Sequence, residues 1–181
     1  MKRIILFIFT IILTSSTQIA FAEEIFNHSI SAAKAASIMP AFENASCKFE
    51  QTKFLKAYST ALKSGGNFNF IKDKGVIFET TYPIQSTTSY TSEQNKRISS
   101  IIKSIINKNY TYLEKNFDLF YQPGSGTTWI LALKPKTTGQ LKGELCSIII
   151  YGMTNNQVGT ITKMIIDTSN TKTTISFRSC R

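Results

Sequence analysis

The chain predicts an α+β fold: a single, strongly curved antiparallel sheet with helices on its concave side. Three observations carry that prediction. Between Phe49 and Pro83, short runs alternate apolar with polar residues, Phe68 and Phe70 against Asn67 and Asn69, Val76 and Phe78 against Ile77 and Glu79. Period-two alternation between turn residues marks antiparallel strands with one dry face. Between Ile98 and Ile106, isoleucines recur at helical spacing. After Phe117, strand-like runs follow one another in pairs to the end of the chain, parted by Gly, Pro, Ser and Asn.

The N-terminus reads as an address. Lys2 and Arg3 precede the apolar run Ile4 to Leu13, and Ala20-Phe21-Ala22 follows a polar patch. A charged start, a short apolar stretch and an A-x-A site describe a secretory signal peptide, residues 1–22, cleaved after Ala22. The run of ten is too short to cross a bilayer, which needs roughly 20 residues. With residues 1–22 removed, 159 of the 181 remain, residues 23–181, enough for one domain with its own core. No Cys sits just after the cleavage site, so the chain lacks that mark of a lipoprotein. The formal charge is +10, and removing Lys2 and Arg3 leaves +8. The lysines are scattered rather than clustered, which speaks against nucleic acid and for a solvated basic surface. Such a surface lowers the cost of approaching anionic lipid.

Taken in order, Asn27 to Ala45 is Ala-rich and helix-like, interrupted at Pro40. The lone His28 near its start fits a cap or a surface position. Phe49 to Phe54 is a strand, and Ser64-Gly65-Gly66 reads as a turn. Asn67 to Lys72 and Gly75 to Thr81 are strands joined by Asp73-Lys74, and Pro83 closes the unit. Ile84 to Tyr90 is a polar strand. Ser92-Glu93 opens a helix whose Ile98, Ile101, Ile102, Ile105 and Ile106 form a narrow apolar stripe. Tyr110 to Asn116 is a short second helix. Phe117 to Gln122 and Thr128 to Leu133 pair across Pro123-Gly124-Ser125-Gly126. Leu145 to Tyr151 is apolar on both faces at Ile148, Ile149 and Ile150. Gly152 to Gln157 turns, and Val158 to Asp167 and Thr171 to Arg178 finish the sheet.

Three segments resemble the LolA-like family, periplasmic carriers of outer-membrane lipoproteins and their relatives. The first is F-x-Q-x-K, S-G-x-F-x-F and K-G-V-I-F-x-T-x-x-P between Phe49 and Pro83. The second is the hairpin ending Leu133-Lys134-Pro135-Lys136, and the third is I-x-x-M-I-I-D through K-T-T-I-S-F at the C-terminus. Where the family carries a Trp, this chain carries Phe78. The resemblance implies an unclosed half-barrel with helices as a lid. It also implies a periplasmic location, acyl chains of a lipoprotein or another lipid as cargo, a monomer, an inner-membrane donor complex and an outer-membrane acceptor. The family's lid-latching arginine corresponds to Lys72, which offers a point charge instead of a planar fork.

The residues themselves point to binding rather than catalysis. There is one His, no G-x-S-x-G and no H-E-x-x-H, and Gly124-Ser125-Gly126 lacks the spacing and Lys of a phosphate loop. The eleven acidic residues include no convincing acid/base pair. No cofactor and no metal is expected. Cys47, Cys146 and Cys180 allow three single pairings, and an exported chain permits one of them. Cys47 and Cys180 lie near the outer ends of the first and last strands, which favours that pair. An apolar cavity is expected to be lined by Phe49, Phe68, Phe70, Val76, Phe78, Trp129, Leu131, Ile148, Ile150, Ile175 and Phe177. Ile98, Ile102 and Ile105 would close it from above. For any one of these residues, plain core packing is the commoner role. The alternative to a carrier is an envelope interaction or sensor protein with the same half-barrel and no cargo.

Overall fold

Alternation that runs through ten segments builds one sheet. In the computed structural model, which describes residues 24–72, 75–89, 96–137 and 143–181, with the side chains of 88–99 left aside, the strands are β1 (Ser29–Ile30), β2 (Ala45–Leu55), β3 (Thr60–Ile71), β4 (Gly75–Tyr82), β5 (Ser86–Ser89), β6 (Phe117–Pro123), β7 (Thr128–Pro135), β8 (Leu145–Asn155), β9 (Val158–Thr168) and β10 (Thr171–Arg178). They form a single ten-stranded sheet in the order β1-β6-β7-β8-β9-β10-β2-β3-β4-β5. Every pair of neighbours is antiparallel. The end strands β1 and β5 do not meet, so the sheet is a half-barrel and not a barrel. The expected signal peptide lies outside the described residues.

Three helices cover one face: α1 (Ala32–Ile38), α2 (Lys96–Ile106) and α3 (Tyr110–Asn116). They are tied to one another by polar contacts. Ser31 caps α1 by accepting from the Lys34 N–H at 3.2 Å. The Glu114 carboxylate on α3 accepts from the Ala32 N–H at 2.9 Å, satisfying a second donor at the start of α1. Tyr110 donates its hydroxyl to the Ile105 carbonyl at 3.3 Å, and burial raises its pKa, so the phenol stays neutral.

Two expected turns are strand instead. The turn predicted at Ser64-Gly65-Gly66 is the middle of β3, and the chain reverses earlier, in a 3₁₀ turn at Lys56–Tyr58. These glycines serve a close approach. A Cβ on Gly66 would lie 1.9 Å from the Glu79 carbonyl oxygen, and one on Gly65 would lie 3.0 Å from that of Phe49. A bulge sits between the two. Likewise β8 runs on through Gly152 to Asn155, and Asn156 and Gln157, both at positive φ, make the turn. Gly152 is needed because the Trp129 ring lies where its side chain would be, 2.1 Å from a Cβ. Of the helix-like stretch Asn27 to Ala45, where Pro40 was expected to bring a kink or a second helix, only Ala32–Ile38 is α-helix; it ends before Pro40 and no helix restarts there. Ala41 instead bridges to Val158, donating to the Gln157 carbonyl and accepting from Gly159. The polar strand expected over Ile84 to Tyr90 starts only at Ser86 and runs to Ser89, and Tyr90 lies outside the described residues.

Candidate functional site

The sheet register decides which side chains share the concave face. Phe49 on β2 faces Phe177 on β10 and Gly66 on β3. Phe68 faces Phe78 on β4, and Phe70 faces Val76. On the other flank Leu131 faces Ile150, Leu133 faces Ile148, and Ile150 faces Met164, which faces Ile175. Successive strands therefore contribute one continuous apolar surface beneath the helices.

The structure brings nearly all of the expected lining together. Phe49, Phe68, Phe70, Val76, Phe78, Ile102, Ile105, Trp129, Leu131, Ile148, Ile150, Ile175 and Phe177 are all buried in one cluster. The side chain of Ile98 lies outside the described residues. Ile101, Ile102, Ile105 and Ile106 of α2 are buried over this surface, where α2 lies against β4 and α3.

Aromatic side chains of this face pack against one another. Phe68 and Phe78 rings sit 4.9 Å apart, Phe49 and Phe78 5.0 Å, and Phe68 and Phe177 4.7 Å, all in edge-on or tilted contact. Phe42 meets Trp129 edge-on at 6.0 Å. A cleft of about 230 Å³ lies elsewhere, at the ends of β2 and β3, lined by Asn44, Ala45, Ser46, Asn69, Phe70, Ile71 and Arg181. Of the expected lining it touches Phe70 alone.

Cys47 and Cys180 are joined in a disulfide, and Cys146 is an exposed thiol. The bridge fastens the start of β2 to the end of β10, beside the exchanged backbone bonds between Ser46 and Arg181. Lys72 does not reach the helices through any described contact. Its side chain is exposed, and its backbone N–H donates to Asn44 Oδ1 at 2.7 Å. Among the described residues, no group of three His, Cys, Asp or Glu side chains is arranged to hold a metal ion.

Sequence reading missed several contributors. Met39, Phe42, Tyr110, Leu113, Phe117, Leu119, Leu133 and Met164 belong to the same cluster. The alternation of Leu133 with Leu131 and of Phe117 with Leu119 signalled three of them, Leu133, Phe117 and Leu119. It also missed a second apolar cluster on the convex face, where Ile25 and Phe26 of a 3₁₀ turn (Ile25–Asn27) pack on Phe120, Ala132 and Ile149. The apolar run Ile148-Ile149-Ile150 carried that signal, since only a strand covered on both faces needs it.

No family model matches this chain, and no curated protein matches it. Solved structures that it is similar to include a DUF1329 family protein from Desulfovibrio piger ATCC 29098, 9% identical over 83% of this chain and 89% of that one, with a TM-score of 0.36. LprF from Mycobacterium bovis is 10% identical over 89% of this chain and 93% of that one, with a TM-score of 0.32. Likenesses of this size carry no weight for function.

Proposed function

We propose that this protein is a non-catalytic, exported carrier whose concave face accepts acyl chains of a lipoprotein or another lipid once α2 lifts away. The observation that carries the reading is the continuous apolar surface from β4 round to β7, covered by a helix that adds four isoleucines. The cover that α2 gives includes the buried side chains of Ile101, Ile102, Ile105 and Ile106. Magnitudes permit an exchange. Burying four isoleucines contributes about 6–12 kcal/mol at about 1.5–3 each, and an acyl chain gains about 0.8 kcal/mol per CH₂. A chain of roughly 8–15 methylenes therefore offsets the lost lid contacts before ordering costs. Periplasmic location, a monomeric state, an inner-membrane donor and an outer-membrane acceptor belong to the same reading, on the strength of the resemblance to LolA-like carriers.

The packed Phe49–Phe68–Phe78–Phe177 cluster favours a second reading, an envelope interaction or sensor protein with a solid core. Fluorescent fatty-acyl binding and thermal melting, measured together on delipidated protein, separate the two. The carrier reading expects saturable binding by the folded wild type. It also expects that loss of the apolar face in Phe78→Glu abolishes that binding. Folded wild type that takes up no acyl probe would sink the carrier and leave the solid core.

A further inference from the structure

The far end of the β2–β3 hairpin is exposed. β4 ends at Tyr82, opposite Gly65, so residues from Gln51 to Ser64 run on past it with β10 as their neighbour on the other side. This wing exposes large apolar side chains: Tyr58 at the tip is 77% exposed, Leu62 52% and Phe54 39%. The register places them around the tip and not on one face. Phe54 pairs with Ala61 and Lys172, while Leu62 pairs with Lys53 on the opposite side. Lys53, Lys63 and Lys172 are exposed beside them. No Asp or Glu occurs between Glu50 and Asp73. Across the sheet, the Asp167 carboxylate is engaged by Lys56 at 2.7 Å, and the Lys56 N–H is held by the Asn170 carbonyl at 2.9 Å, which braces the tip.

We infer that this wing docks end-on into an anionic phospholipid surface. An apolar tip flanked on both faces by lysines matches a bilayer interface, where aromatic rings sit at headgroup depth and long cationic chains reach back to phosphate. Leu62 lies three residue pairs from the turn, about 10 Å at about 3.3 Å per residue, within the depth that interfacial segments reach. The net charge, +8 once Lys2 and Arg3 are removed from the +10 of the whole sequence, supplies long-range attraction to such a surface. A protein groove would accept the apolar tip but offers no reason for lysines on both faces, whereas a lipid surface surrounds the tip with negative charge. The inference stands on the wing's own residues and does not depend on acyl uptake by the concave face.

Sedimentation with vesicles of 30% phosphatidylglycerol in phosphatidylcholine tests it, against pure phosphatidylcholine. The expected result is binding to the anionic vesicles that weakens with salt. Each lysine near the surface contributes about five-fold, so Lys53→Gln with Lys63→Gln lowers affinity about 25-fold. Tyr58→Ser with Leu62→Ser weakens it as well, while melting and fatty-acyl binding stay at wild-type levels. In Tyr58→Trp, the added emission shifts to the blue on anionic vesicles. Binding that ignores both pairs, an indole that stays in water, or no vesicle binding at all would overturn the proposal. So would a dimer in sedimentation equilibrium that the same pairs abolish, since the occupant would then be a second copy of the chain.

Discussion

The two ends of the β2–β3 hairpin share strands and hydrogen bonding yet differ in everything their side chains do. At one end Phe49, Phe68 and Phe70 lie under the helices and are buried. At the other, Lys53, Leu62 and Phe54 continue the same strands into solvent. The backbone ladder is continuous through both, eleven consecutive pairs from Ala45 with Phe70 to Leu55 with Thr60. Strand formation therefore does not distinguish the ends; coverage by a second layer does. The covered end supplies stability, and the bare end is left free for an encounter.

The largest expected effect lies in the covered end. Phe68 touches both Phe78 and Phe177, so Phe68→Ala leaves a cavity among rings that cannot all collapse into it. A loss of about 3–5 kcal/mol is expected in urea unfolding. A loss below about 1 kcal/mol would show that the rings repack freely and that the face is softer than its packing indicates.

Next comes the disulfide, which pins the covered end from outside. Cys47 and Cys180 are 133 residues apart in sequence, so the bridge closes most of the chain in the unfolded state. Reduction, or Cys47→Ser with Cys180→Ser, should lower stability by about 2–5 kcal/mol. Alkylation without reductant checks the pairing: a single labelled thiol, Cys146, is expected.

How far the site was legible in the chain follows from the same contrast. Alternation depends on neighbours within a strand, so Phe68, Phe70, Val76 and Phe78 declared a common face directly. Glycine is ambiguous, because it serves both tight turns and close backbone approach. Gly65 and Gly66 carry a turn signal, yet they admit the Phe49 and Glu79 carbonyls from adjacent strands. Only a contact across strands resolves that ambiguity. The packing of the concave face was equally illegible, since an apolar lining and an apolar core have the same sequence pattern. The convex cluster under Ile25 was hidden because its cover comes from a short 3₁₀ turn without periodicity.

A smaller effect sharpens the picture of the lid. Ser31 is the N-cap of α1, and its hydroxyl accepts from Lys34. Ser31→Ala should cost about 1 kcal/mol. Because Glu114 holds the next donor on the same helix, Ser31→Ala combined with Glu114→Gln tests coupling between α1 and α3. Simple additivity would show that the two contacts act separately.

The smallest expected effect is at the bare end, and it is the sharpest test of the comparison. Leu62 lies on the concave side of β3 by register, two pairs beyond Ser64, which faces Gln51. It is a large apolar residue on the same face as Phe68, so sequence alone would assign it to the core. Its exposure of 52% says otherwise. Leu62→Thr keeps a strand-forming residue and removes apolar surface that water already reaches. Stability should change by less than about 0.5 kcal/mol, as at other solvated positions. The same reasoning makes the outcome independent of protein concentration. A loss of 2 kcal/mol or more would mean that Leu62 is covered in solution. If that loss grew with dilution of the wild type as well, a second copy would be the cover. A null effect on stability together with weaker binding to anionic vesicles would instead separate the two ends of one hairpin, one for folding and one for contact.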